Sequence, residues 1–87
     1  MRPTLRQLEY IVAVAEMGQV GLAADTLNVS QPSLSSQLLQ AEQELGATIF
    51  IRGRGGAKVT SEGENIVRRA RLILRDHEDL RASAKSG

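Results

Sequence analysis

The stretch Val29-Ser30-Gln31-Pro32-Ser33-Leu34-Ser35-Ser36-Gln37-Leu38-Leu39-Gln40-Ala41 decides the fold. Leu34, Leu38, Ala41 and then Leu45 recur at helical spacing and make one apolar stripe. Ser30 is a favourable N-cap, and Pro32 in the first turn costs no hydrogen bond, because the first N–H groups of a helix have no intrahelical partner. Gly46 is a natural stop, so the pattern predicts a helix from about Gln31 to Leu45. Opposite the stripe lie Pro32, Ser36, Gln40 and Gln43, with Ser33 and Ser35 on the flanks. From Ser30 to Ala41 no side chain is acidic or basic. A surface helix normally carries charge; one that offers Ser, Gln and small groups is shaped to press against another surface. Leu39 also falls on this outer side, and nothing in the sequence accounts for it.

Upstream, residues 20–27 read as a short helix with Ala23, Ala24 and Leu27 facing inward. Asn28 can take the left-handed conformation that ends a helix, and Val29 plugs the turn. Two helices joined by Asn28-Val29-Ser30 have the geometry of a helix-turn-helix, whose second helix is free to enter the DNA major groove. Residues 4–17 read as a first helix, opened by the capping box Thr4-Leu5-Arg6-Gln7 and closed by Gly18. Its buried stripe is Leu5, Leu8, Ile11, Val12 and Ala15, while Arg6 faces solvent.

Downstream, Thr48-Ile49-Phe50-Ile51 is strand-like, Arg52-Gly53-Arg54-Gly55-Gly56 turn-like, and Ala57-Lys58-Val59-Thr60 a return strand. The hairpin would carry two arginines at its tip, as a DNA-binding wing does. Its glycines lack the Lys-Ser/Thr and the strand-loop-helix setting of a nucleotide loop. Residues 61–84 read as a long fourth helix, with Ser61-Glu62-Gly63-Glu64 as a capping box and Thr60 as an alternative cap. Ile66, Ala70, Ile73, His77, Leu80 and Ala84 alternate by four and three, a heptad seam, with Val67 and Leu74 as a second stripe beside it. One stripe is expected to pack on the domain and the other on a second copy.

With 87 residues the chain is sized for one small domain, and with 2% aromatic residues its core must be aliphatic. The absence of cysteine excludes a disulfide scaffold, a thiolate zinc site and a thiol nucleophile, and His77 is a lone histidine. No metal or cofactor is expected. No apolar run approaches a membrane span, so the default is an intracellular protein with no membrane partner. The net charge of +1 hides a local imbalance: no acid lies between Glu44 and Glu62, where Arg52, Arg54 and Lys58 fall.

The sequence resembles the N-terminal DNA-binding domain of LysR-type transcriptional regulators. The resemblance is carried by Leu5-Arg6-Gln7-Leu8-Glu9-Tyr10, Val12-Ala13-Val14-Ala15-Glu16, Ala23-Ala24, Val29-Ser30-Gln31-Pro32-Ser33-Leu34-Ser35, Gln37-Leu38, Glu42 with Leu45-Gly46, Phe50 with Arg52, and Thr60 with Gly63. It implies a mainly α winged helix-turn-helix over residues 1–60 and a linker and dimerisation helix over 61–87, paired antiparallel in a homodimer. Such proteins bind interrupted inverted repeats in promoters, in the bacterial cytoplasm at the nucleoid, and can form tetramers at full length. They usually carry a C-terminal effector-binding domain, so the chain is expected to be a piece ending at the linker. By position, Gln31, Pro32, Ser35 and Ser36 fall where base edges are contacted, and Ser30 and Ser33 where phosphates are. Arg52 and Arg54 fall in the wing, directed to the minor groove and backbone. The dimer seam is Ile66, Ala70, Ile73, His77 and Leu80.

There are departures. Ser36 stands where the family often has Arg, which removes a bidentate guanine reader. Gln19-Val20-Gly21 replaces a Ser-Phe-Thr-like start of the second helix, and Ala41 stands where Leu is common. Three functions remain to be weighed. The basic wing favours a DNA-binding module over a winged-helix module that binds protein. An enzyme is disfavoured, since Glu42 and Glu44 diverge on their helix and no nucleophile–base pair is visible.

Overall fold

The computed structural model describes residues 2–86. Its elements are α1 (Leu5–Met17), α2 (Val20–Leu27), α3 (Gln31–Leu45), β1 (Phe50–Gly53), β2 (Gly56–Val59) and α4 (Ser61–Ser86). Three of the four helices begin where a side chain accepts from a free N–H group of the first turn. The Thr4 hydroxyl accepts from the Gln7 N–H at 3.1 Å, and the Gln7 side-chain oxygen accepts from the Thr4 N–H at 3.0 Å, completing the capping box. Ser30 Oγ accepts from the Ser33 N–H at 3.2 Å. At the head of α4 the cap is Thr60, not Ser61: Thr60 Oγ1 accepts from the Gly63 N–H at 2.9 Å, and Ser61 is already helical. The α2 N-terminus has no side-chain cap, as the loss of a hydroxyl at position 19 predicts. Asn28 ends α2 with φ 59°, and the Asn28 and Val29 N–H groups both turn back to the Ala24 carbonyl.

α1 lies at the centre, touching α2, α3, α4 and β2. Ile11, Val14, Leu34, Leu38 and Ile49 are the largest fully buried side chains, each worth about 1.5–3 kcal/mol of burial. Ala23, Ala24 and Ala41 are also buried and let the helices approach closely. Leu5 and Leu45, expected at the ends of buried stripes, are each 38% exposed. Among buried residues Gln7 is polar, and its amide donates to Gln37 Oε1 at 2.9 Å, tying α1 to α3.

The hairpin is tighter than the sequence suggests. Arg52 pairs with Ala57 and Gly53 with Gly56, so only Arg54 and Gly55 form the loop. Ile49 precedes the strand as a buried plug. Alternation across the ladder puts Phe50, Arg52, Ala57 and Val59 on one face and Ile51 and Lys58 on the other. The first face looks into the domain, where Phe50 and Ala57 are buried. These three packed helices and their wing are a winged helix-turn-helix.

α4 corrects one residue of the expected seam. Gly63, Val67 and Ala70 are buried on the domain, with Ile66 and Leu74 packed beside them. Ala70 is 1% exposed, so it belongs to the core and presents nothing to a second copy. Helix geometry explains this: the two stripes lie about 90° apart at 100° per residue, and Ala70 sits between them. Gly63 sets the approach. A Cβ there would meet the Ile49 carbonyl oxygen at 2.5 Å and the Ile49 Cα at 2.9 Å, so only glycine lets α4 lie this close to the segment before β1. Past Leu74 the helix runs on, and the molecule extends to 48 × 26 × 21 Å.

Candidate nucleic-acid interface

The outer face of α3 and the wing form one continuous surface. Gln31, Pro32, Ser33 and Ser36 are exposed on α3, as are Arg52 and Arg54 on the wing. Ser35 is half-buried because Arg52 lies over it: Arg52 Nη1 donates to Ser35 Oγ at 3.1 Å. This contact follows from strand register. Arg52 is on the inward face of β1, two residues past buried Phe50 and beyond the edge of the core. Its side chain therefore reaches back to the helix instead of out to solvent. Ser30 has its hydroxyl engaged in the N-cap, so it offers lone-pair capacity but sits fixed at the helix end.

Between α2, α3 and the wing is an open cleft of about 430 Å³, lined by Gln19, Gln31, Ser35, Arg52 and Arg54 among others. The Gln31 side chain lies over the first turn of α2, its Oε1 standing 3.5 Å from where a Cβ on Gly21 would be. The departure at Gly21 thus leaves room beside the Gln31 amide. The cleft holds two arginines and no carboxylate, which suits it to polyanions.

One positioning residue was not legible in the sequence. Glu42 Oε2 accepts from the backbone N–H of Ile49 at 2.7 Å and of Phe50 at 3.2 Å. A second carboxylate, Glu62 Oε2, accepts from the Thr48 N–H at 3.1 Å, and the Thr60 hydroxyl donates to the Thr48 carbonyl. The segment entering the wing is thereby clamped to α3 and to the head of α4. The sequence signals are its place in the family pattern, with Leu45-Gly46, and its position one residue after the buried Ala41; neither tells what the carboxylate accepts from. Removing the acceptor leaves two N–H groups unpaired, so Glu42→Ala is expected to cost about 2–4 kcal/mol. Glu42→Gln, which keeps one acceptor oxygen, is expected to cost less than half of that; urea unfolding of the two variants measures both.

The dimer-seam residues divide. Ile66 is half-buried on the core, Ala70 is in it, and His77 is half-buried. Ile73 and Leu80 are 46% and 67% exposed. Among the described residues no group of His, Asp and Glu could hold a metal ion, and no helix is long and apolar enough to cross a membrane.

Residues 5–64 match the family model described as bacterial regulatory helix-turn-helix protein, lysR family. The chain belongs to the LysR family. Its relatives are transcriptional regulators, not enzymes. It is 49% identical over 73 residues to the uncharacterized HTH-type transcriptional regulator YdcI of Escherichia coli, covering 84% of this chain and 24% of that protein. It is 38% identical over 81 residues to the HTH-type transcriptional regulator ClcR of Pseudomonas putida, covering 93% and 28%. The chain thus spans about a quarter of the length of these LysR-family relatives. Among solved structures, the BenM DBD in complex with benA site 1 DNA superposes with a TM-score of 0.91 at 36% identity, covering 95% of this chain and 93% of that one. Full-length CbnR complexed with its target DNA gives 0.90 at 34% identity, covering 95% and 29%.

Proposed function

We propose that this LysR-family domain binds double-stranded DNA as a homodimer at promoter inverted repeats and so regulates transcription in the cytoplasm, at the nucleoid. α3 lies in the major groove, and Arg54 and Arg52 meet the minor groove and backbone. The observation that carries this reading is the surface itself. An uncharged helix face of hydrogen-bonding groups is flanked by a wing whose Arg52 is tied to it at 3.1 Å. The likeness to BenM and CbnR, both solved on DNA, supports DNA binding by this domain.

Chemistry assigns the roles. Gln31 has the donor–acceptor pair that matches adenine, and Pro32 is apolar enough for a thymine methyl. Ser35 and Ser36 offer single hydroxyls to base edges, while Ser33 and the free N–H groups beside Ser30 suit phosphates. With Ser36 in place of Arg, discrimination per half-site is modest, and much of the affinity comes from counterion release. The dimer doubles the reading. In a full-length protein two such dimers would give a tetramer.

Two kinds of variant separate these contributions. Arg54→Ala is expected to weaken binding to every duplex alike and to reduce the salt slope by about 1 per half-site. Gln31→Ala is expected to leave that slope unchanged and to flatten base preference at one position, by about 1–3 kcal/mol. Anisotropy titrations on operator and scrambled duplexes at several salt concentrations read both. An unchanged salt slope for Arg54→Ala would remove the wing from the DNA. Failure to bind any duplex at low salt would overturn the reading in favour of a protein-binding module.

A further inference from the structure

Leu39 is 55% exposed, although its neighbours Leu34, Leu38 and Ala41 are buried to within 1%. It serves no core. Its place on α3 is specific, however. Pro32, Ser36, Leu39 and Gln43 fall on one line along the helix, at spacings of four, three and four residues. Leu39 is therefore the next member of the row that begins with two proposed base readers. The rise from Pro32 to Leu39 is about 10 Å, within the reach of a helix laid in a groove about 12 Å wide. Helical side chains also lean toward the N-terminus, so Leu39 covers the surface beside Ser35 and Ser36 and not the far end of the helix. No side chain from Ser30 to Ala41 is charged, so nothing in this row competes for the phosphates.

We infer that Leu39 is a specificity-determining residue, packing on a thymine C5-methyl in the third turn of α3. The inference rests on the proposed DNA binding of the same helix. The thymine methyl is the apolar group that the base edges present in the major groove, and every other base edge there offers donors or acceptors. A leucine over those edges would strip their water without replacing its hydrogen bonds. The surroundings agree with a shallow, partly wet contact. Gln43 flanks Leu39 and can bond a neighbouring edge, Gln40 donates to Glu44 Oε1 at 3.4 Å on the side away from Ser36, and Arg52 on Ser35 closes the wing side one turn earlier.

The test is a methyl scan. The operator is first selected from random DNA with the 87-residue chain, and each thymine is then replaced singly by deoxyuridine, which lacks only the methyl. One thymine per half-site is expected to lose about four-fold in affinity on this change, the worth of one buried methyl-sized group. In Leu39→Ala that loss should vanish, while the loss at the thymine assigned to Pro32 persists. Leu39→Gln should in addition lose the preference for thymine at that position. Because Leu39 is exposed, both variants should melt with the parent, which a thermal unfolding curve checks. A methyl profile unchanged in Leu39→Ala would overturn the inference and leave Leu39 as a contact for a protein partner. So would an operator with no methyl-sensitive thymine. Absence of binding to any duplex would instead overturn the DNA-binding reading on which this one stands.

Discussion

Ile73→Asp is expected to convert the protein to a monomer and to lower its affinity for a two-half-site operator by about 100-fold or more, since the second half-site is then no longer held at high effective concentration. The reason lies in what supports α4. Its last side chain packed on the core is Leu74, yet the helix continues to Ser86. An isolated helix of about 12 residues is marginal in water, and the exposed Glu78–Arg81 pair adds only about 0.3 kcal/mol. Ile73 and Leu80 stand exposed on one stripe beside half-buried His77, an apolar face left open by the described residues. In the proposed homodimer a second α4 would supply that cover, and a carboxylate at position 73 would be buried between two copies without a partner. Ile73 is 46% exposed in the single chain, so the substitution spares the domain's own core. Leu72, 41% exposed but about a third of a turn away from the seam, is the control. Leu72→Asp should remain a dimer. Sedimentation of both variants decides the matter, and a dimer that persists in Ile73→Asp would place the interface elsewhere. Binding to a single half-site should be nearly unchanged, which separates lost pairing from a damaged reading surface.

The sequence was most informative where structure is local. Helix starts at Thr4 and Ser30 and the left-handed stop at Asn28 follow from side chains acting on their own backbone, so a linear reading finds them. The row Leu34, Leu38, Ala41 was legible for the same reason. It misread what depends on distant partners. Ala70 fits two stripes at once, and which one faces inward is set by Gly63, whose missing side chain lets α4 rest on Ile49. In the sequence Gly63 reads as part of a capping box and of the family pattern, with no sign of the backbone it must approach. Arg52 and Gly53 looked like turn residues because glycines surround them, but ladder pairing with Ala57 and Gly56 puts them in the strand. That register is what sends Arg52 toward Ser35. The Glu42 clamp needs the chain to return from Gly46 to β1 before its acceptors have anything to accept.

Gly56→Ala is expected to destabilise the domain by about 3 kcal/mol or more, lowering Tm by at least about 12 °C. Gly56 has φ 110°, a conformation in which an L side chain is strained. A Cβ there would stand 2.2 Å from the Gly18 carbonyl oxygen and 3.2 Å from Gln19 Cγ. The first of these is backbone and cannot rotate aside. The same Gly18 oxygen accepts the Ala57 N–H at 2.8 Å, so relieving the clash breaks the bond that seats the wing on the α1–α2 corner. Strain and the unpaired N–H each contribute about 1–3 kcal/mol. Gly55→Ala, one residue away, is the control: no heavy atom lies within 4 Å of its added Cβ, and its φ is not positive. It should melt within a degree or two of the parent, because removing a glycine also restricts the unfolded chain. The pair therefore isolates seating from loop composition. At temperatures where Gly56→Ala is still folded, DNA affinity should fall with it, since a lifted wing takes Arg52 away from Ser35 while α3 is untouched. A Gly56→Ala protein that melts with the parent would mean the wing is not seated on Gly18, leaving the Glu42 and Glu62 clamp and the Arg52–Ser35 bond to aim it.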